Sequence, residues 1–154
     1  MIDEISLKIL QILQEKARIP NVEVARQVGL APSAVLERIR KLEKQGFIDG
    51  YEVRLNPKRF AKSLVAFVNV KLKKLDAEIN VGQTLSKVPE VQEVHYVAGE
   101  DAFLVKVRAA DTEALSRLIR VKIAAITGVQ STRTAIVLST YKETARIPIE
   151  IVSA

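Results

Sequence analysis

The order of elements along the chain predicts an α+β protein in two parts. An N-terminal helix-turn-helix domain of winged-helix-like type is followed by a C-terminal domain of βαββαβ order, the ferredoxin-like sandwich. Three observations predict this. Apolar residues recur at helical spacing from Ile5 to Leu42; a small-residue turn from Ala25 to Gly29 interrupts them; and after Ser63 the texture changes to branched and aromatic runs such as LVAFVNVKL, separated by helical stretches. The expected division is residues 1–50 for the helix-turn-helix domain, 51–62 for a β-strand hinge, 63–140 for the second domain, and 141–154 for a C-terminal tail packing on that second domain.

Asp3 is the expected N-cap of a first helix running to about Lys16, with Ile5, Ile9, Leu10, Ile12 and Leu13 in a broad apolar stripe. Arg18-Ile19-Pro20 ends it, because proline disfavours helix in the residue before it. Asn21 is expected to cap a second helix, with Glu23 at the positive end of its dipole and Val24, Ala25 and Val28 facing inward. Gly29 stands where the chain must leave that helix with positive φ, and Pro32 suits the first position of a third.

In the third helix Val35, Ile39 and Leu42 share a buried face. Ser33, Ala34, Glu37, Arg38 and Lys41 are placed on or near the opposite face, with Arg40 and Lys44 on its flank. Small residues at the leading end and basic ones behind suit a helix entering a major groove, since its first residues approach base edges while Arg and Lys meet phosphates. An ordinary solvated helix face would carry similar charges; the Ala25 to Gly29 turn ahead of it favours the groove. Gly46 ends this helix. Residues 47–55 alternate well enough for a strand or hairpin, closed by the turn Asn56-Pro57.

The second part reads as a strand over 64–72, a weaker helix over 76–87 that contains Gly82, a strand over 91–98, a turn at Gly99-Glu100-Asp101, and a strand over 102–109. A longer helix capped by Asp111 runs to about Ile126, and a last strand covers 129–139. Both helices should pack on one sheet face. Phe67, Asn69 and Lys71 alternate with Val68, Val70 and Leu72, so an apolar second face covered by another copy's sheet is expected.

Composition narrows the function. With 48% hydrophobic content in 154 residues, the chain can bury one good core or two small ones. The absence of cysteine excludes disulfide scaffolding, thiolate metal sites and cysteine nucleophiles, and the single histidine gives no basis for a His-rich metal site. No metal or other cofactor is expected. No apolar run is long enough to span a bilayer, and the acidic start MIDEISLKIL is unlike a signal peptide, so a soluble cytoplasmic protein with no membrane partner is expected. The net charge is +6; residues 1–62 hold twelve Lys or Arg against eight Asp or Glu, residues 63–154 twelve against ten, so the excess sits with the helix-turn-helix pattern. No Ser-His-Asp set, phosphate loop or paired-carboxylate motif stands out, and no enzymatic role is expected.

Over essentially its whole length the chain resembles the Lrp/AsnC, or feast/famine, family of prokaryotic transcription regulators. The resemblance rests on Asp3 with the Ile9-Leu10 helix, on VGLAPSAVLERIRKLEKQGFIDGY at 28–51, on Leu55-Asn56-Pro57, on Gly99-Glu100-Asp101 ahead of FLVKV, and on TRTAIVL at 132–138 followed by Lys142. It implies a sequence-specific, cytoplasmic, nucleoid-associated regulator of double-stranded DNA, in which a DNA-binding domain is joined through a strand hinge to an effector-sensing domain. It also implies homodimers paired sheet to sheet, their assembly into larger rings, commonly octamers, and a small effector, typically an amino acid, held between dimers near the glycine turn and the last strand. Carried onto this sequence, the recognition helix contributes Ser33, Ala34, Glu37, Arg38 and Lys41, with Arg40 and Lys44 as further phosphate contacts. The effector pocket draws on Gly99, Glu100, Asp101, Ala102, Thr132 and Thr134. Ala31 stands where the family usually has a capping Ser, Ser6 where a second Asp is common, and Ala102 where an Asp is usual.

A free amino acid carries both charges. Backbone N–H groups around Gly99 suit its carboxylate, Asp101 or Glu100 its ammonium, and the hydroxyls of Thr132 and Thr134 share one strand face. Gly99-Glu100-Asp101 as a plain hairpin turn and the threonines as a β-favouring pair are the alternative. Two other functions fit less of the sequence: an architectural protein that compacts DNA without an effector, and, since proteins resembling this family act as sirohaem decarboxylases, an enzyme using His95 and Tyr96.

Overall fold

The computed structural model describes residues 2–151, in two compact units. One runs to Arg54 and resumes at Glu143; the other is Leu55–Lys142. Among the described residues no helix is long and apolar enough to cross a membrane.

The first unit holds α1 (Glu4–Glu15), α2 (Asn21–Val28) and α3 (Pro32–Lys44). Asp3 caps α1 as expected, its carboxylate accepting from the Ser6 N–H at 2.8 Å. Asn21 does not cap α2. Pro20 is the cap residue, extended at φ −62° and ψ 142°, and its carbonyl already accepts from the N–H groups of Glu23 and Val24, so Asn21 becomes the first helical residue. Gly29 adopts φ +71° and its cap N–H returns to Ala25 O, the left-handed exit that its position requires. Ala31 leads into α3 without a side-chain cap. Ile9, Val24 and Val35 are wholly buried where the three helices meet, packed with Leu13, Ala25, Ile39 and Leu42. Truncating one of the larger of these side chains costs roughly 2–5 kcal/mol.

Residues 47–55 form neither strand nor hairpin. The alternation is present, but a strand needs a partner for its N–H and C=O groups and the chain supplies none there. Tyr51, Val53 and Leu55 instead lie exposed in a segment without regular structure. The tail also departs from expectation. From Glu143 it belongs to the first unit rather than to the second domain, because side-chain amides on α1 take up its backbone groups: Gln14 and Gln11 donate to the carbonyls of Ile147 and Ile149.

The second unit contains β1 (Leu64–Leu72), α4 (Glu78–Ser86), β2 (Val91–Tyr96), β3 (Phe103–Ala109), α5 (Thr112–Leu118), continued by a π-helical turn (Ile119–Ile123), and β4 (Val129–Ile136). The sheet order is β2-β3-β1-β4, antiparallel throughout, which is the expected ferredoxin-like arrangement. Ala66, Val68, Val70 and Leu72 of β1 and Phe103, Val105, Val107 and Ala109 of β3 form a core with Val81, Leu85, Leu115, Leu118 and Ile123. Gly82 is where α4 lies hard against β3, for a Cβ there would meet the Phe103 ring at 3.2 Å. The second sheet face is mixed rather than apolar. Register places Glu93, Lys106, Phe67 and Ala135 in one row and His95, Leu104, Asn69 and Arg133 in the next. Lys106 is buried there and bonds Glu93 at 3.3 Å.

Candidate nucleic-acid interface and effector turn

The buried face of α3 is fixed by Val35, Ile39 and Leu42. At 100° per residue the direction opposite is held by Ser33, Glu37, Arg40 and Lys44, with Lys41 beside them, and all five are exposed. Arg40 and Lys44, read from sequence as flanking, are thus central. Ala34 and Arg38 lie on the flank and are half-buried. Arg38 does not project outward. Its Nη1 bonds Asp3 Oδ2 at 2.5 Å and Ser6 Oγ at 3.0 Å, tying α3 to the first turn of α1.

This pairing sets the local charge. The Arg38 guanidinium, helped by the Ser6 hydroxyl and N–H, holds the Asp3 carboxyl down at about 2. On α2, Arg26 grips Glu23 through Nε at 3.0 Å and Nη2 at 2.5 Å, and that grip holds Glu23 at about 2. Among the described residues Arg40, Lys41 and Lys44 have no acidic partner. Flanking cations are therefore neutralised within the unit, while the outward row of α3 keeps its charge. At the far end of α3, Tyr51 Oη donates to Glu43 Oε1 at 2.9 Å; partial burial of the half-exposed side chain and this bond push its phenol up to about 12.

In the second unit the turn between β2 and β3 contains Gly99 at φ +126°, a conformation that L side chains rarely adopt. The turn closes through Val97 N–H to Ala102 O at 2.9 Å, and among the described residues no backbone N–H from Ala98 to Asp101 makes a main-chain bond. Ala102 is buried, one of the residues of the core cluster that includes Phe103. Thr132 and Thr134 do share a face. Their partners Val70 and Val68 place it on the helix side of the sheet. Asp101 is held instead by Arg133, on the opposite face, through Nη2 to Oδ2 at 2.6 Å. Within one chain the turn therefore meets Arg133 and not the two threonines. Arg133 was not among the sequence candidates; the period of two that pairs the threonines also turns the residue between them to the other face, and only the register reveals that it reaches Asp101. His95 bonds Glu93 Oε2 at 3.1 Å.

Residues 2–49 match the winged helix-turn-helix DNA-binding family, and residues 65–147 match the Lrp/AsnC ligand binding domain. The chain belongs to the Lrp/AsnC family. It is 38% identical over 151 residues to the leucine-responsive regulatory protein of Escherichia coli K12, covering 97% of this chain and 92% of that one. Among solved structures it is similar to a transcriptional regulator of Neisseria meningitidis in complex with L-Met, with a TM-score of 0.91, 33% identity, and 96% and 97% of the two chains covered. It is likewise similar to a feast or famine regulatory protein of M. tuberculosis complexed with L-methionine, with a TM-score of 0.89, 31% identity, and 97% and 100% covered. The protein is thus a Lrp/AsnC-type transcription regulator with a helix-turn-helix DNA-binding domain and a ligand-binding domain, the two units that the geometry separates.

Proposed function

We propose that this regulator reads DNA in the cytoplasm through the outward row of α3 and that its DNA binding responds to an amino acid. One observation carries the first half: among the described residues Arg40, Lys41 and Lys44 have no acidic partner on the face opposite the core, while Arg26 and Arg38 are bound to acids beside them. Ser33 and Glu37, at the leading end of that row, are the base-edge candidates, and the cations are phosphate contacts. Arg38 is assigned to positioning rather than to contact. Ala34, half-buried, contributes fit rather than a bond.

The Neisseria and mycobacterial relatives, solved with methionine, support an amino acid as effector. In this reading the free N–H groups around Gly99 take the carboxylate and Asp101 the ammonium. Thr132 and Thr134, on the other sheet face, complete a site only in combination with a second copy. Homodimers form by covering the mixed sheet face and by pairing the exposed stretch Tyr51, Val53 and Leu55, and dimers assemble further, into octamers. The protein acts by binding, without catalysis.

The experiment is a salt titration of duplex binding. Each phosphate-contacting cation contributes about 0.9 to the slope of log K against log salt, so Arg40→Ala, Lys41→Ala and Lys44→Ala should each flatten it by roughly that amount per copy bound. An unchanged slope in all three assigns binding to another surface. Equal affinity for random and selected duplexes would instead support the architectural reading.

A further inference from the structure

The outward face of α1 is a docking surface, and its occupant is this chain's own C-terminal segment. Gln14 makes a reciprocal pair with Ile147: its Nε2 donates to the Ile147 carbonyl at 3.0 Å and its Oε1 accepts the Ile147 N–H at 2.8 Å. A carboxamide used in this way presents the same donor and acceptor that a neighbouring strand residue would. Gln11 Nε2 donates to the Ile149 carbonyl at 2.9 Å. Arg146 Nη1 meets both Glu15 carboxylate oxygens, at 3.0 and 2.9 Å, and its Nη2 lies 3.5 Å from the Glu15 carbonyl, one of those the helix end leaves open. Tail positions 146, 147 and 149 thus meet helix positions 15, 14 and 11, an antiparallel register written in side chains. Ile147 is largely exposed and Ile149 only partly buried, so the polar pairings carry more of the docking than apolar burial does.

We propose that residues 146–149 are a strap that couples the ligand-binding unit to the recognition helix. The chain passes between the units twice, at Arg54 to Leu55 and again at Lys142 to Glu143. From Lys142 to Arg146 there are four links, which extend to about 14 Å at most, so any motion that would carry Lys142 farther than that from Arg146 must pull on Arg146. That unit's last strand carries Arg133, which holds the effector turn through Asp101. At the other end of α1, Asp3 and Ser6 hold Arg38 of α3. The strap therefore acts on the helix that frames the recognition helix. Exposed ion pairs and amide bonds are individually weak, and ordering the segment opposes them, so docking is held by a small margin and is reversible. Docked and released strap are the two states that an effector biases.

The coupling rests on the DNA-binding reading above, but the strap is testable without DNA. In the whole 154-residue chain, Glu15→Arg, Arg146→Glu, their combination and Gln14→Ala are compared by backbone hydrogen exchange at Ile147, by thermal unfolding and by duplex affinity. Each single change should free the Ile147 amide to exchange at least about tenfold faster and weaken DNA binding about fivefold or more with an unchanged salt slope. The charge-swapped pair should restore both. Loss of protection at Ile147 in Gln14→Ala, which alters no charge, keeps the test valid if a reversal variant folds poorly. If Ile147 exchanges freely in the native protein, there is no strap. If Glu15→Arg tightens binding while Arg146→Glu weakens it, net charge explains the effect and the coupling is wrong. Failure of the native protein to bind DNA, with Ile147 protected, would overturn the function while leaving the docking intact.

Discussion

Arg38→Ala separates positioning from contact. It removes a 2.5 Å ion pair to Asp3 and a 3.0 Å bond to Ser6. The Asp3 carboxyl is held at about 2 against an ordinary 3.8, which links roughly 2 kcal/mol to folding if unscreened. The Asp3 side chain is 54% exposed, so screening reduces this to about 0.5–1 kcal/mol, with the Ser6 bond at the upper end. In a domain of this size that lowers the melting midpoint by about 2–6 °C. Because the folded-state value is depressed, the stabilisation is fully present above the ordinary value and is lost as pH falls toward the folded one. The difference between native and variant should be full at pH 7, shrink below about pH 4, and fall toward the contribution of the Ser6 bond alone as pH drops through about 2. The assay is thermal unfolding of both proteins across that range, beside the salt dependence of DNA binding, in which the slope should stay constant. A variant as stable as the native protein at pH 7, with a slope flattened by about one charge per copy, would show that Arg38 is a phosphate contact after all.

Three further outcomes follow from the geometry. Gly128 sits at φ +103°, and a Cβ there would lie 2.9 Å from Ala77 Cβ and 3.1 Å from Val81 Cγ2; Gly128→Val should destabilise the second unit by about 2–5 kcal/mol in denaturant titration. Tyr51→Phe loses the bond to Glu43; since burial and that bond raise the phenol to about 12, this stabilisation is present below pH 10 and fades as pH rises toward 12, so native and variant midpoints should converge there. An amino acid present at about 100 times its dissociation constant should stabilise the protein by ~2.7 kcal/mol, an effect lost in Asp101→Ala; stabilisation that survives this change moves the ammonium site elsewhere.

The three helices, the four strands and their order were legible because each depends on local periodicity and on turn residues such as Gly29, Gly46 and Gly99. What stayed hidden depends on distant partners. Arg38 lies on the α3 flank nearest the core, and its true partner, Asp3, is 35 residues away. The alternation around Val53 predicts a strand or hairpin that does not form, because among the described residues nothing pairs with its N–H and C=O groups. That Thr132 and Thr134 share a face follows from the period of two; that this face is the helix side follows only from their pairing with Val70 and Val68. The tail gave no local signal at all, since Gln14 and Ile147 are 133 residues apart and the recognition is by amide groups, which no hydrophobic pattern records.

If the outward row of α3 reads DNA sequence, removing its two base-edge candidates must cost selectivity. The most direct measurement is enrichment of duplexes from a random pool by the native protein and by the Ser33→Ala/Glu37→Ala double variant, whose cations are untouched. The native protein should select two-fold-related half-sites about one helical turn, roughly 10 bp, or a multiple apart. It should bind them on the order of a thousandfold tighter than random DNA, whereas the variant should keep its non-specific affinity and lose that preference. The same enriched sequence recovered by the variant would contradict sequence reading by α3.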